Sequence, residues 1–384
     1  MPKNILFVVD NLVMGGITKV ITNLLVNLDP EKYNIDLLVL HYYEDMNVKI
    51  PEYVNIIEGN KFFSSVDVSI KRIMKEKNVS EFLKKLSLVI SLKSGRIRNK
   101  IVEARKNILT KKYDTEIAFS DGFSHIFVAN GDTPNKIAWM HTDISVQNDS
   151  KRYYNLVKES LKKMNMSVCV SDRVREVYKS YYDLDDDKIQ TIHNIIDVDE
   201  IRNKGNEKID IEFSKDAINL ISVGRLESQK NYERFINVHK RLIDDGYKIN
   251  SYLIGDGLEK GKLENTIKEQ KIEDTFFMLG RKDNPFPYVK KADLFILSSI
   301  LEGLPTVLYE AIILGVPCVS TKVAGAREIL KDQYGLITEN DDEALYCGIK
   351  KVLDDKKLLD TYKSEVSMYK SENSDIIRKV EKII

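Results

Sequence analysis

Short apolar runs alternate with helix-like patterns along the whole chain, and this alternation limits the possible fold more than any other feature. It is typical of βαβ units, in which each helix returns the chain to lay down the next parallel strand. The predicted strands form two successive series, covering residues 5–9, 35–40, 117–119, 136–140, 166–170 and 189–192, and then 218–223, 250–254, 275–279, 294–297 and 316–320. The predicted fold class is therefore α/β, with two Rossmann-like doubly wound domains.

The length of the chain and a polar segment after the first series predict where the domains divide. With 384 residues, the chain can form two domains that each bury a core. The last strand of the first series gives way to polar residues near 194–203. We therefore predict a first domain over 1–193 and a second that begins at 194.

The charge balance and the cysteines argue against several classes of protein. Lys and Arg together number 59, as do Asp and Glu, and this neutrality argues against a nucleic-acid-binding protein. The three cysteines are far apart without a C-x-x-C pair, which suits small buried residues in a reducing cytosol. No apolar run approaches the ~18 residues of a membrane span, and the run before Asp10 is too short for a signal peptide. We expect a cytoplasmic protein.

One segment of the second half places two glutamates around a predicted helix over 305–314. Pro305 suits the first helical position, because its φ is fixed and no N–H is needed there. Gly315 suits a left-handed position just past the helix end. Glu302 precedes the helix, and Glu310 lies roughly 7–8 Å along its axis. This spacing suits a sugar nucleotide, with its diphosphate on the helix amides and its sugar hydroxyls on the carboxylates.

A second segment, residues 223–231, follows the first strand of the second series. Arg225 and Lys230 would lie at the carboxyl end of a parallel strand, where ligands bind in open α/β sheets. Both can neutralise a diphosphate through charge-assisted hydrogen bonds of about 1.5–3 kcal/mol each. The alternative is a surface loop with two solvated cations.

Both segments resemble those of a known enzyme family. EGLPTVLYEAIILGVPCVST has Glu302 and Glu310 at E-x7-E spacing, and residues 224–231, GRLESQKN, resemble the Gly-Arg…Lys-Asn segment that binds diphosphate in this family. The chain is thus similar to retaining glycosyltransferases of the GT-B fold, family 4 (group 1), of the bacterial surface-polysaccharide class. The resemblance implies two domains facing each other across a cleft, with the acceptor on the first and the nucleotide sugar on the second, 194–363. It also implies a C-terminal helix, 364–384, that returns to the first domain.

The resemblance gives the candidate residues their roles. Arg225 and Lys230 would stabilise the leaving diphosphate, Glu302 would hold hydroxyls of the donor sugar, and His141 would lie near the reacting carbon. These four are the predicted catalytic residues. The predicted substrate-binding residues are Gly15, Gly16, Gly280, Arg281, Gly303, Leu304, Pro305, Thr306 and Glu310.

Some of these assignments have structural alternatives. Gly15 and Gly16 would border the phosphates and the acceptor, but two glycines also suit a plain tight turn. They do not form G-x-G-x-x-G, so a nicotinamide cofactor is not expected. The backbone of 280–282 would meet the nucleobase, although a glycine at a strand end is usually turn geometry. A lone histidine such as His141 is more often a satisfied structural residue, and Asp121 is a further acceptor-side candidate.

The expected reaction needs no metal and no cofactor. The Asp-x-Asp triplet 185–187 lies in a polar loop, and Arg225 and Lys230 would make Mg²⁺ redundant. We expect transfer from a nucleotide sugar, a UDP-sugar first, to a hydroxyl of a glycan or lipid-linked acceptor in capsule or other surface-polysaccharide synthesis. Two alternatives stay open: an epimerase or phosphorylase on the same fold, and a non-catalytic protein that binds nucleotide sugar.

Residues 71–112 form a basic stretch, with fourteen Lys and Arg against three acidic residues. A solvated helical face is the default interpretation. The alternative is contact with an anionic membrane, to which each cation contributes about 1 kcal/mol. Because the first domain receives the acceptor in this family, such contact would suit a lipid-linked acceptor and a peripheral position at the inner face of the plasma membrane.

Overall fold

The computed structural model describes residues 2–12, 16–41, 48–60, 62–63, 79–94, 96–145 and 151–384. The chain divides into two compact units. The first unit comprises Met1–Ile195 and Glu372–Ile384, and the second comprises Ile196–Ser371.

The first unit is built on a parallel sheet. Its described strands are β1 Lys3–Val9, β2 Tyr33–Val39, β3 Asn55–Glu58, β4 Thr115–Ala118, β5 Asn135–Met140, β6 Met166–Cys169 and β7 Ile189–Thr191. Its described helices up to β7 are α1 Gly16–Asn27, α2 Val79–Ser94, α3 Ile97–Ile108, α4 Phe123–Ala129, α5 Lys151–Leu161 and α6 Asp172–Tyr182. The strand order is β3-β2-β1-β4-β5-β6-β7, and all neighbours are parallel. Residues 5–9 of β1 are fully buried, as expected for a central strand covered on both faces.

The second unit repeats this plan. Its strands are β8 Ile218–Val223, β9 Ile249–Ile254, β10 Phe276–Gly280, β11 Leu294–Leu297, β12 Cys318–Thr321 and β13 Gly335–Thr338. Its α-helices are α7 Val198–Lys204, α8 Tyr232–Asp244, α9 Lys260–Glu269, α10 Phe286–Val289, α11 Thr306–Ile313, α12 Ala326–Leu330, α13 Asp342–Asp354 and α14 Lys356–Ser367. The strand order is β10-β9-β8-β11-β12-β13, again all parallel.

In each sheet the first strand has the second strand on one side and the fourth on the other. The order therefore reverses between β1 and β4, and again between β8 and β11. This is the doubly wound arrangement, so the predicted α/β class with two Rossmann-like units is confirmed. Ligands of open α/β sheets bind outside the carboxyl ends of the strands at such a reversal.

The sequence prediction missed two strands, β3 and β13. Each has four residues and lies at an edge of its sheet. The side chains of β3 are mostly exposed, so its sequence lacks the continuous apolar run of a buried strand. Short edge strands of this kind carry little periodicity to detect.

The end of the chain is shared between the two units. Helix α14 belongs to the second unit, where Tyr362 joins the buried core. The helix that belongs to the first unit is α15, Asn373–Ile383. The units divide after Ile195 and after Ser371, whereas the prediction divided them after 193 and 363. The predicted helix over 364–384 is therefore wrong in extent, because its first part packs as the end of α14.

Helix α15 is fixed to the first sheet by its last carbonyls. The carbonyl of Ile384 accepts hydrogen bonds from Lys3 Nζ (3.2 Å) and Thr115 Oγ1 (3.1 Å). The carbonyl of Ile383 accepts one from Asn135 Nδ2 (2.7 Å). These donors lie on β1, β4 and β5, so the last turn of the helix pairs with the central strands of the first unit.

Candidate active site

Two loops meet at the strand-order reversal of the second unit. One follows β8 and carries Lys230, and the other follows β11 and carries Glu302. Lys230 Nζ lies 2.7 Å from Glu302 Oε1, and their side chains are only 16% and 10% exposed. Ser299 Oγ donates to the same Oε1 at 2.6 Å. The structure therefore brings together two of the four predicted catalytic residues, as a part-buried ion pair.

The segment 298–302 that carries Glu302 is held by side chains from three other places in the unit. The carbonyls of residues 298, 299 and 300 accept hydrogen bonds, in that order, from Arg234 Nη1 (3.1 Å), Thr321 Oγ1 (2.7 Å) and Asn340 Nδ2 (2.9 Å). The amide of residue 300 donates to the carbonyl of Gln229 (2.8 Å). The two loops of the site are thus fixed to each other and to the body of the unit.

Arg225 lies differently from Lys230. Its guanidinium pairs with Glu227 Oε1 at 2.9 Å, and its side chain is 65% exposed. Exposed ion pairs of this kind contribute only ~0–1 kcal/mol. Arg225 can therefore exchange Glu227 for another anion at little cost.

Glycines pack the loops after β8 and β9 against each other. A Cβ at Gly255 would lie 1.9 Å from the carbonyl oxygen of Gly224, and one at Gly257 would lie 2.6 Å from that of Leu226. The Gly255 amide donates to the carbonyl of Gly280 at 3.0 Å. Gly255 and Gly257 have φ of +158° and +157°. Side chains are excluded here because the backbones touch.

Helix α11 begins one residue later than predicted. Pro305 is its N-cap residue, with φ −74° and ψ 84°, and Thr306 is the first helical residue. Because proline carries no side-chain acceptor, it cannot cap the first-turn amides. Gly315 has φ +82°, so its predicted left-handed conformation after the helix is confirmed.

The residues before α11 pack against Gly325. Gly325, with φ +72°, leaves room for Leu304, since a Cβ at this glycine would lie 2.5 Å from Leu304 Cδ1. Leu304 and Pro305 are buried, whereas Gly303 and Thr306 are part-buried. This turn is thus set by packing.

The other predicted residues of the second unit lie on α11 and at the end of β10. Glu310 lies on the second turn of α11 and is part-buried. Gly280 ends β10 with φ +67°, and Arg281 follows it with an exposed side chain. The side chain of Lys282 turns to Asp210 Oδ2, 2.6 Å away.

In the first unit, His141 follows β5. Its ring Nε2 lies 3.0 Å from the carbonyl oxygen of Phe119, and its backbone amide donates to Asp121 Oδ2 at 3.0 Å. Burial lowers the pKa of His141 to about 3, so the imidazole is neutral at pH 7. Gly16 begins α1, and a Cβ on it would meet no heavy atom within 4 Å. The predicted Gly15 lies outside the described residues.

Asp121 follows β4, the strand beside β1. Its Oδ1 accepts a hydrogen bond from Tyr178 Oη at 2.9 Å. Burial raises the pKa of Asp121 to about 6, although hydrogen bonds from Thr142, Tyr178 and the His141 amide favour the charged form. Asp121 therefore holds its proton to a higher pH than an ordinary aspartate does.

The basic stretch 71–112 is only partly a solvated face. Residues 71–78 and 95 lie outside the described residues. Arg105 is buried on α3 and donates from Nη2 to both oxygens of Glu116, at 2.7 and 2.9 Å, and from Nη1 to the Phe127 carbonyl at 3.0 Å. This cation belongs to the interior of the first unit because a buried carboxylate needs it.

The neighbouring helix α2 exposes a row of large apolar side chains. Val79, Phe82, Leu83, Leu86 and Ile90 are each 38–71% exposed. Their spacing of three and four residues places them on one side of the helix. Within the described part of the chain, no helix is long and apolar enough to span a membrane.

The residues that shape segment 298–302 were not among the sequence predictions. Ser299, Arg234, Thr321 and Asn340 lie on four different elements or loops, so no local spacing joins them. Arg234 lies three residues after Asn231, on the helix that follows the Lys230 loop. A charged residue in the first turns of a helix reads as solvated unless its burial is known.

A family model described as Glycosyl transferases group 1 matches residues 203–367, which is most of the second unit. This segment is similar to the group 1 glycosyltransferases, which supports the predicted family.

Curated relatives match about half of the chain. One, N-acetylgalactosamine-N,N'-diacetylbacillosaminyl-diphospho-undecaprenol 4-alpha-N-acetylgalactosaminyltransferase from Campylobacter jejuni, is 34% identical over 181 residues, covering 46% of this chain and 48% of the relative. Another, UDP-Gal:alpha-D-GlcNAc-diphosphoundecaprenol alpha-1,3-galactosyltransferase from Escherichia coli, is 28% identical over 201 residues, covering 50% and 52%. The chain thus spans about half the length of these relatives.

Solved structures match the chain along nearly its whole length. HepE from Anabaena in complex with UDP has a TM-score of 0.73 at 14% identity, covering 99% of this chain and 98% of that one. TarM has a TM-score of 0.74 at 14% identity, covering 100% and 99%. At such identities the likeness shows the fold, which is GT-B.

Proposed function

We propose that this protein is a retaining, metal-independent group 1 glycosyltransferase that moves a sugar from a nucleotide sugar to a hydroxyl of a glycan or lipid-linked acceptor. The Lys230–Glu302 pair at the strand-order reversal carries the proposal. Both hydrogen bonds that the described residues make to Glu302 use Oε1, so Oε2 remains for a sugar hydroxyl. Lys230 uses one N–H on Glu302 and keeps two for a diphosphate.

The proposed chemistry is front-face transfer. The bond between the anomeric carbon and the diphosphate oxygen breaks, and the leaving group takes the electron pair. Lys230, Arg225 and the amides before Val307 stabilise the charge that develops there. The acceptor hydroxyl then attacks the anomeric carbon from the same side and gives its proton to the departing phosphate.

The other predicted residues take supporting roles in this proposal. Glu310 holds the ribose, and the backbone at 280–282 meets the nucleobase. Neutral His141 lies near the reacting carbon in the first unit, while Gly15 and Gly16 border the phosphates and the acceptor. A neutral imidazole there donates or accepts a hydrogen bond without adding charge beside the breaking bond.

The donor and acceptor classes rest on similarity. HepE was solved with UDP, and the Escherichia coli relative is named for a UDP-sugar donor and a diphosphoundecaprenol acceptor. The Campylobacter jejuni relative is also named for a diphospho-undecaprenol acceptor. We therefore propose a UDP-sugar and a polyprenyl-diphosphate-linked glycan, in assembly of a capsule or other surface polysaccharide.

Mass spectrometry of products tests this proposal. The chain is incubated with UDP-, GDP- and ADP-sugars and with lipid-linked acceptors, and a retained anomer is expected from a UDP-sugar only when acceptor is present. Isomerisation or hydrolysis of the donor without acceptor would indicate an epimerase or a related reaction. Release of sugar that depends on phosphate would indicate a phosphorylase. Binding of the nucleotide sugar without turnover would indicate a non-catalytic binding protein.

We also propose that α2 seats the first unit on anionic lipid. The exposed apolar row provides area to bury in the interface, and Lys84 and Lys85 lie between its members in the sequence. Arg96, Lys106 and Lys112 extend the exposed charge beyond the helix. An apolar row flanked by cations is the composition of interfacial helices.

Vesicle co-sedimentation distinguishes lipid from a protein partner. Binding to phosphatidylserine vesicles should rise with anionic lipid fraction and fall with NaCl, since the screening length is about 8 Å at physiological ionic strength. Charge reversal at Lys84, Lys85, Arg96 and Arg98, or Leu83→Asp with Ile90→Asp, should release the protein and leave UDP binding intact. Indifference to anionic vesicles at low salt would reject membrane docking.

A further inference from the structure

Arg234 is a buried cation one helical turn beyond the Lys230 loop. Its side chain is 7% exposed. Its hydrogen bonds within the described residues go to Ser298, Asn340 and Asp342, and not to Lys230 or Glu302. We propose that Arg234 is a positioning residue that fixes segment 298–302, so that Glu302 meets Lys230 in a geometry ready for the donor. The proposal rests on the function proposed for this pair.

The guanidinium group donates hydrogen bonds to two segments, the loop after β11 and residues 340–342. Nη1 donates to the carbonyl of Ser298 (3.1 Å) and to Asn340 Oδ1 (2.7 Å), and Nη2 donates to the carbonyl of Asn340 (3.3 Å). Nε donates to Asp342 Oδ1 (2.9 Å). Arg234 therefore ties the loop after β11 to the loop after β13.

Asn340 extends the reach of Arg234. Because Asn340 Oδ1 accepts from Arg234, its amide nitrogen is turned to the carbonyl of Ile300, 2.9 Å away. Arg234 thus holds two of the three consecutive carbonyls before Glu302, one directly and one through Asn340. Misplacement of a catalytic group by about 1 Å can cost about 100-fold in rate, so this bracing matters for turnover beyond its effect on stability.

The bracing needs a planar fork. Arginine presents its donors in fixed directions in one plane, whereas lysine offers a point charge. Arg234→Lys keeps the charge but cannot reach Ser298, Asn340 and Asp342 together. We therefore expect Arg234→Lys to behave like Arg234→Gln.

Arg241 provides a matched control. It lies on the same helix, α8, and pairs with Glu343, the residue after Asp342, but its side chain is 47% exposed. Arg241→Gln removes the same charge and a similar ion pair without touching segment 298–302. The two variants separate the loss of a helix-surface pair from the loss of the brace.

Hydrogen–deuterium exchange and steady-state kinetics are measured on the full chain. In Arg234→Gln, amides of 298–302 should exchange at least tenfold faster while those of α9 keep their wild-type rate. The kcat should fall at least tenfold, and the Kd for UDP should change less than threefold, because the phosphate-binding cations remain. Arg241→Gln should leave all three quantities unchanged.

Several results would overturn the proposal: wild-type exchange at 298–302, uniformly faster exchange across the second unit, or equal effects from both variants. If Arg234→Gln does not fold, Thr321→Val frees the carbonyl of residue 299 instead, and the same local pattern is required of it. Wild-type protein without turnover on any donor sugar would reject the proposed function, while the exchange data would still decide whether Arg234 braces the segment.

Discussion

The two units use one strand order but hold their strand-end carboxylates differently. In the first unit Asp121 follows β4, the neighbour of β1. In the second unit Glu302 lies in the loop after β11, the neighbour of β8. Neutral donors hold Asp121, and burial raises its pKa to about 6. Glu302 faces the Lys230 ammonium instead. The two carboxylates thus occupy corresponding places in the fold but contact groups of different charge.

A second contrast concerns two charge pairs, the buried Arg105–Glu116 pair and the part-buried Lys230–Glu302 pair. Arg105 and Glu116 engage both carboxylate oxygens, and Thr133 also donates to Glu116. In the Lys230–Glu302 pair, Glu302 Oε1 accepts both hydrogen bonds that the described residues make to this carboxylate, from Lys230 and from Ser299. A pair whose hydrogen-bonding capacity is used up supports the fold, whereas one with capacity left can bind a ligand. The following changes test that distinction.

The largest expected effect is on stability, from Arg105→Met. Removing one partner of a buried pair leaves Glu116 uncompensated, which typically costs about 3–5 kcal/mol in the free energy of unfolding. Denaturant unfolding measures it. Arg98→Met, on the same helix but in an exposed pair with Glu159, should cost less than about 1 kcal/mol. A similar cost for both would remove the basis for calling the Arg105 pair structural.

Next is Lys230→Ala, which should lower kcat by two or more decades, because charge on the leaving diphosphate loses a partner. Arg225→Ala should act in the same direction. Initial rates with the donor found by product analysis measure the effect. Lys240→Ala, which loses only an exposed pair with Asp244, is the control. Wild-type turnover in the Lys230 or Arg225 variant would reject that residue's assignment.

A smaller effect is expected from Asp121→Asn, and it depends on pH. An acid whose folded pKa is raised to about 6 binds its proton more tightly when folded, so it destabilises the fold progressively as pH rises from 4 through 6. Between pH 4.5 and 7.5, the variant should gain about 2 kcal/mol of unfolding free energy relative to wild type. A pH-independent difference would show that Asp121 is not the titrating group.

The smallest expected effect is that of a metal chelator on turnover. Because Lys230 and Arg225 are proposed to neutralise the diphosphate, turnover should survive excess EDTA. Rates are compared with and without the chelator after dialysis. Activity that EDTA abolishes and Mg²⁺ or Mn²⁺ restores would mean that a metal shares this role and would weaken the contrast between the two pairs.

Sequence reasoning reached most of the fold because long apolar runs specify central strands. The strands at 218–223 and 294–297 were predicted to the residue. It failed for β3 and β13, which are short edge strands. It also placed Pro305 inside the helix, because proline is common in the first helical turn. In the structure the packing of Leu304 against Gly325 sets where the helix begins.

The candidate site was predictable where residues are local and not where they converge. Lys230 and Glu302 follow strand ends, so the topology could place both. Arg234, Thr321 and Asn340 act through a shared segment, and only the folded chain brings them to it. Arg105 was counted with the solvated cations of 71–112, since its partner Glu116 lies on a strand outside that stretch.

Helix α15 has a consequence for how the protein is made. Residues 196–371 form a complete unit, but the first unit lacks its last helix until residues 373–383 have been synthesised, and the strands β1, β4 and β5 wait for the carbonyls of Ile383 and Ile384. During translation domains generally fold as units from the amino-terminal end. Here the unit that begins first is completed after the second one, so a ribosome that stops after residue 371 releases a chain whose first unit is unfinished.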